Sequence, residues 1–96
     1  MESVNSRLHI MIEGRVHGVG FRYFVLENAN ALGLTGWVRN RYDQTVEVIA
    51  EGEREKLEKL LAAIRTGPRG SMVTEVKPHW QAAQGEFNRF SIKSTH

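Results

Sequence analysis

The residues best suited to chemistry in this chain lie in a glycine-rich run from Gly14 to Gly20 and just after it. Glycines let backbone N–H groups turn inward and form a concave site for an anion. A helix that begins after such a run adds unpaired N–H donors. Arg22, in the first predicted turn of that helix, supplies a planar guanidinium that binds two phosphate oxygens at once. This pattern predicts a site for one phosphoryl group. The alternative is that the glycines only permit a tight turn and that Arg22 is solvated.

Two other phosphate-binding patterns do not match this run. The Walker pattern requires Gly-Lys followed by Ser or Thr, and the sequence contains no such tripeptide. The dinucleotide-binding fingerprint requires another glycine after Gly18 and Gly20, and this chain has Tyr23 at that position. Both patterns are therefore excluded.

Apolar residues on either side of the run predict the elements that position it. Leu8, Ile10 and Ile12 alternate with other residues as in a strand with one buried face. Phe21 begins a stripe with helical spacing, and Gly33 is the predicted C-cap of that helix. The remaining predicted elements are strands at 36–41 and 45–50, a helix from about 53 to 67, and strands at about 72–77 and 87–93, with 79–85 the least certain stretch.

The order of these elements indicates an α+β fold with both helices on one face of the sheet. Right-handed crossovers favour a split βαβ, or ferredoxin-like, arrangement with a mostly antiparallel sheet of about five strands. In that arrangement the first two strands are parallel, and another strand lies between them. Their C-terminal ends share one edge of the sheet, so Arg22 and Asn40 are expected to face the same crevice.

Two motifs resemble those of a known family. The segment Gly14–Arg22 closely resembles the first acylphosphatase signature, and Gly36–Asn40 resembles the second. The spacing between them is that of the family, and the resemblance covers the chain from about Leu8 to Lys93. Gln44 is a departure, because the second signature usually has a glycine there. A side chain at this position is expected to strain the hairpin or to force a different turn type at 41–44.

The resemblance implies a metal-free hydrolase of acyl phosphates that needs no cofactor and releases a carboxylate and inorganic phosphate. Arg22 would bind the phosphoryl oxygens and stabilise the transition state, and Asn40 would position a water for in-line attack on phosphorus. The side chain of His17 is left open as a general base, a group that shapes the loop or a solvated group. The phosphoryl group would be held by backbone N–H groups of a loop made of Arg15, Val16, His17, Gly18, Val19 and Gly20.

Size, charge and hydropathy indicate a single-domain protein without a membrane span. The chain has 96 residues, a length typical of one domain, and we expect a single domain over residues 1–96 with a core at about 8–93. A polar N-terminus and the lack of a long apolar run predict neither a signal sequence nor a membrane span. We therefore expect a cytoplasmic monomer that acts on a small molecule. The net charge of +2, from 13 basic and 11 acidic residues, is too balanced to imply a polyanionic partner.

The residue types that are missing exclude other catalytic classes. There is no cysteine, which excludes disulfides, thiolate nucleophiles and cysteine-ligated zinc. The four histidines, at 9, 17, 79 and 96, lack the spacing of metal ligands. Asp43 is the only aspartate and lies in a predicted turn, which argues against a Ser-His-Asp triad.

Two other functions are compatible with the predicted fold. Ferredoxin-like sheets also bind RNA through aromatic residues on the open face, but the predicted strand at 45–50 contains no aromatic residue. Acylphosphatase-like modules also occur in large carbamoyl-handling maturation enzymes beside cysteine-rich zinc segments. A sequence of 96 residues without cysteine favours a stand-alone enzyme over such a module.

Overall fold

The computed structural model describes residues 5–96 and shows one five-stranded sheet with two helices. The segment 1–4, on which part of the prediction of a missing signal sequence depends, lies outside the described residues. Within residues 5–96, neither helix is long and apolar enough to cross a membrane. In chain order the elements are β1 (Asn5–Arg15), α1 (Phe21–Ala31), β2 (Thr35–Asn40), β3 (Val46–Glu53), α2 (Arg54–Thr66), β4 (Met72–Ala82) and β5 (Phe90–Ile92).

The strands lie in the order β4-β1-β3-β2-β5 across the sheet. β3 is antiparallel to both β1 and β2, so β1 and β2 are parallel to each other and separated by one strand. β4 is antiparallel to β1, and β5 is parallel to β2. This topology confirms the predicted α+β fold with a split βαβ unit. The C-terminal ends of β1 and β2, at Arg15 and Asn40, lie along one edge of the sheet, which we call the upper edge.

The core lies between the helices and one face of the sheet. Every second residue of a strand points to the same face, so Leu8, Ile10 and Ile12 of β1 all face the helices and are fully buried. α1 packs over β2 and β5, and α2 packs over β1, β3 and β4. Both helices therefore cover one face, as predicted. The buried apolar residues are Leu8, Ile10, Ile12, Val16, Phe21, Val25, Ala29, Leu34, Val38, Val46, Val48, Ala50, Leu57, Leu60, Ile64 and Phe90.

The last two strands differ in length from the prediction. β4 continues to Ala82, whereas the sequence predicts a strand only at 72–77. Pro78 lies inside β4 and donates no backbone hydrogen bond, which is tolerated because β4 is an edge strand. β5 begins at Phe90 rather than at Phe87. The Arg7 guanidinium lies over the Phe87 ring, 5.2 Å from the ring centroid. The chain around Phe87 is therefore held by this side-chain contact and not by pairing with a neighbouring strand.

The face of the sheet opposite the helices is partly covered by the segment that follows β4. The buried Glu51 carboxylate accepts a hydrogen bond from Arg7 Nε at 2.7 Å. It also accepts the backbone N–H groups of Gln84 at 2.8 Å and Gly85 at 3.0 Å. Burial alone would raise the pKa of Glu51, but the Gln84, Arg7 and Gly85 donors lower it below the ordinary value. These bonds fasten the segment after β4 across this face.

Candidate active site

The glycine-rich run begins inside β1 rather than after it. Gly14 has a φ of 128°, and a Cβ atom there would lie 2.0 Å from the carbonyl oxygen of Met72. The register between β1 and β4 shifts between Glu13 and Gly14, so Gly14 belongs to a β-bulge. Arg15, predicted as the first residue of the loop, is instead the last residue of β1 and pairs with Met72. The loop proper therefore comprises residues 16–20.

The 16–20 loop has a backbone that requires glycine at two positions. Gly18 and Gly20 have φ values of 70° and 75°, in the left-handed region that residues with a Cβ atom rarely adopt. A Cβ atom on either glycine would meet no atom within 4 Å, so the requirement comes from the backbone and not from a close neighbour. Val16 is buried and Val19 packs against the core, which anchors the loop between its glycines. Turns of this kind direct backbone N–H groups toward one point.

α1 begins directly after this loop, and its N-terminus has no side-chain cap. Gly20 is the N-cap residue, and no acidic side chain lies in the first turn. The first N–H groups of a helix have no partner within the helix, and they carry a partial positive charge. The loop and the start of α1 together can therefore bind an anion.

Arg22 is the second residue of α1 and is half-buried. Its guanidinium forms no ion pair or side-chain hydrogen bond with any residue in 5–96. The guanidinium groups that do pair with a carboxylate in that range are those of Arg7, Arg39, Arg41 and Arg54. The donor fork of Arg22 is therefore available to an anion bound at the start of α1.

Asn40 is the last residue of β2 and contains an unusual polar atom. It lies two residues after Val38, which is fully buried in the core, so its side chain is on the helix side of the sheet. Its Oδ1 atom is buried and accepts no hydrogen bond from the described part of the chain. A buried acceptor without a protein partner is a position where a bound water or a ligand donor completes the hydrogen bonding.

The topology brings Arg22 and Asn40 to the same edge and the same side of the sheet. α1 starts at the upper edge because it follows β1, and β2 ends there at Asn40. Val46 of β3 pairs with Ile12 of β1 on one side and with Asn40 of β2 on the other, so one strand separates the ends of β1 and β2. The two residues predicted from the sequence as catalytic thus lie at the same edge of the fold.

His17 connects the loop to the hairpin that follows Asn40. Its Nε2 atom lies 2.8 Å from the carbonyl oxygen of Thr45, and because a carbonyl only accepts, Nε2 donates. The same carbonyl accepts the N–H group of Arg41 at 2.9 Å. The sequence does not predict this contact, because the acceptor is a backbone carbonyl, which every residue type has.

The two arginines on either side of Asn40 both form ion pairs with Glu47. Arg39 Nη2 and Arg41 Nη1 lie 2.8 and 3.2 Å from Glu47 Oε1, and His9 Nε2 lies 2.7 Å from Oε2. Burial alone would raise the pKa of Glu47, but hydrogen bonds from His9, Arg39 and Arg41 lower it below the ordinary value. Glu47 therefore stays ionised and neutralises part of this cluster. No group of three or more metal-binding side chains occurs in residues 5–96.

Gln44 adopts a strained conformation in the hairpin between β2 and β3. Its N–H group donates to the carbonyl of Arg41 at 3.1 Å, which closes the turn. Its φ of 75° is the only positive φ of a non-glycine residue among the described residues. The sequence predicts that a side chain here either strains the hairpin or forces a different turn type. The structure shows the first of these, a left-handed residue with a side chain, at a cost of about 1–2 kcal/mol.

Replacement of Gln44 by Gly is expected to raise the free energy of unfolding by about 0.5–1 kcal/mol. Glycine removes the left-handed strain, and the larger entropy of the unfolded chain offsets part of the gain. Urea denaturation measures the difference. Gln44→Ala is the matched control, because it shortens the side chain but keeps the strain. Equal stability of the Gly and Ala variants would contradict the prediction.

Known proteins resemble this chain in sequence and in fold. A family model described as Acylphosphatase matches residues 8–92. An acylphosphatase of Pelotomaculum thermopropionicum is 46% identical over 87 residues, which are 91% of this chain and 95% of that protein. The crystal structure of acylphosphatase from Bacillus subtilis matches 92% of this chain and 98% of its own, with a TM-score of 0.89 and 40% identity. Full-length HypF, in a phosphate- and nucleotide-bound form, matches 99% of this chain at 29% identity and a TM-score of 0.89, but only 13% of the HypF chain is covered.

Proposed function

This chain belongs to the acylphosphatase family, and on that premise we propose that it hydrolyses the carboxyl–phosphate bond of small acyl phosphates. The water oxygen bonds to phosphorus while the bond between phosphorus and the acyl oxygen breaks. The electron pair of that bond leaves with the carboxylate. Both hydrogens of the water remain on the phosphate, so an acyl phosphate dianion and water give a carboxylate and dihydrogen phosphate.

The phosphoryl group is held by the backbone N–H groups of Arg15, Val16, His17, Gly18, Val19 and Gly20 and by the start of α1. Three features support this role: the left-handed glycines, the uncapped helix and the lack of an acidic residue in its first turn. Arg22 binds two phosphoryl oxygens and stabilises the negative charge in the transition state. Its lack of a carboxylate partner in residues 5–96 leaves it able to do so.

The attacking water is held by the side-chain amide of Asn40. The observation that carries the proposal is the buried Oδ1 atom, which has no donor in residues 5–96. It lies at the edge of the sheet where the anion-binding loop ends. A water bound there donates one hydrogen bond to Oδ1 and keeps a lone pair for phosphorus. Such a water is oriented but does not need to lose its proton before it attacks.

The chemistry of the leaving group explains why so few residues are enough. A carboxylate is the conjugate base of an acid with a pKa of roughly 4, so it leaves without protonation. The alkoxide of an ordinary phosphate ester is a far poorer leaving group. No general acid is then required, and the transfer depends on positioning and on charge stabilisation.

The unmodified protein is expected to hydrolyse benzoyl phosphate equally fast with and without excess EDTA. Release of inorganic phosphate measures the rate. Phenyl phosphate, which has the same ring and phosphoryl group but an ester bond, is the matched control and should be hydrolysed far more slowly. A strict requirement for an added metal ion, or equal rates on the two compounds, would contradict the proposal.

A further inference from the structure

The carbonyl oxygen of Thr45 accepts hydrogen bonds from both parts of the proposed site, the 16–20 loop and the hairpin between β2 and β3. The His17 ring belongs to the 16–20 loop, and its Nε2–H group donates to the Thr45 carbonyl at 2.8 Å. That carbonyl also accepts the Arg41 N–H group at 2.9 Å, the bond that closes the hairpin next to Asn40. The loop proposed to bind the phosphoryl group and the hairpin next to Asn40, the residue proposed to bind the water, therefore share one hydrogen-bond acceptor.

The strands alone do not provide this connection. The pairing between β1 and β3 ends at Ile12 and Val46, and beyond that point β1 has a hydrogen-bonded partner only in β4. The loop that follows contains two left-handed glycines, the residues with the greatest backbone freedom. The His17–Thr45 bond spans this gap from the loop to the start of β3.

We propose that His17 is a positioning residue, which sets the distance between the phosphoryl group in the loop and the water on Asn40. This inference rests on the proposed function. Nε2 carries a hydrogen and is bound to a carbonyl that cannot remove it, so this nitrogen is not a base toward the water. In-line attack requires the reacting atoms to be about 3–3.5 Å apart, and a displacement of about 1 Å lowers the rate by about 100-fold.

The test compares His17→Ala with His17→Gln. Ala removes the donor, and kcat for benzoyl phosphate is expected to fall by about 10- to 100-fold. The Kd of inorganic phosphate should stay close to that of the unmodified protein, because the loop and Arg22 still bind the anion. The amide nitrogen of Gln reaches about as far as Nε2 and donates in the same way, so Gln should recover most of the lost kcat. If circular dichroism shows that the Ala variant is unfolded, His17→Asn replaces it, since its amide is too short to reach Thr45.

Two further variants separate positioning from other roles. His79 is exposed on β4 and makes no side-chain hydrogen bond within residues 5–96, so His79→Ala is the control and should keep full activity. The double variant His17→Ala/Asn40→Ala should be no slower than Asn40→Ala alone, because His17 acts only through the water on Asn40.

Three results would overturn the inference: a Gln variant as slow as Ala, additive losses in the double variant, or weaker phosphate binding with an unchanged kcat. Failure of the proposed function itself would look different. In that case the unmodified protein would not hydrolyse benzoyl phosphate, and there would be no activity for the substitution of His17 to change.

Discussion

Replacement of Arg22 by Gln is expected to lower kcat/KM for an acyl phosphate by about a thousandfold or more, because arginines that stabilise a transferring phosphoryl group contribute on the order of 10³–10⁵. Gln is shorter, carries no charge and offers two donors instead of five. The loss should appear in both binding and kcat, since the guanidinium contacts the phosphoryl group in the ground state and in the transition state. Arg22→Lys keeps the charge but loses the fork, so an intermediate rate is expected.

The structure offers two controls for this experiment. Arg22 has no ion-pair partner in residues 5–96, so the Gln variant should change the free energy of unfolding by less than about 0.5 kcal/mol. Arg89 is exposed just before β5, at the opposite edge of the sheet, and Arg89→Gln should keep full activity. Inorganic phosphate should raise the melting temperature of the unmodified protein but not that of Arg22→Gln. Wild-type rates in Arg22→Gln would refute the assignment.

Replacement of Asn40 by Ala is expected to lower kcat by about a hundredfold, the usual effect of losing one group that orients the reacting atoms or stabilises their charge. Phosphate affinity should change little, because Asn40 binds the water and not the phosphoryl group. The free energy of unfolding should change by less than about 1 kcal/mol, because the Oδ1 atom accepts no hydrogen bond from residues 5–96 and is paired with water instead.

Asn30 provides the matched control for this second experiment. It is exposed near the end of α1, at the edge of the sheet away from the proposed site. Asn30→Ala makes the same chemical change and should leave kcat unaltered. An Asn40→Ala variant that retained wild-type kcat would remove the proposed role of the amide. A variant that lost activity only because it unfolded would contradict the expected small change in stability.

Much of the fold follows from the sequence because local pattern and topology agree. The alternation at Leu8, Ile10 and Ile12 predicts one buried strand face, and the structure buries all three side chains completely. The extent of β4 and β5 did not follow, because edge strands depend on contacts that no periodicity records. Pro78 is accepted inside β4 only because that strand has a neighbour on one side. The Phe87–Arg7 contact joins residues far apart in the chain.

The candidate site could be predicted as far as side-chain type carries information. Arg22 and Asn40 belong to motifs with recognisable residues, and the strand order explains why both reach the upper edge. The His17 contact with Thr45 could not be predicted, because its acceptor is a backbone oxygen. The strain at Gln44, by contrast, follows from the resemblance, because a side chain stands there where the signature usually has a glycine, and its φ is left-handed. Location in the cytoplasm and the monomeric state stay predictions.

Pro78 has a consequence for how this molecule meets other polypeptides. An outer strand of eleven residues, such as β4, offers a template to which a foreign strand can add, and this is a common route to aggregation. A proline midway along β4 interrupts the row of backbone donors that such a template needs. Its neighbour Lys77 places a charge beside the interruption. Addition of a foreign strand to the sheet is thereby opposed along β4, the longer of its two edge strands.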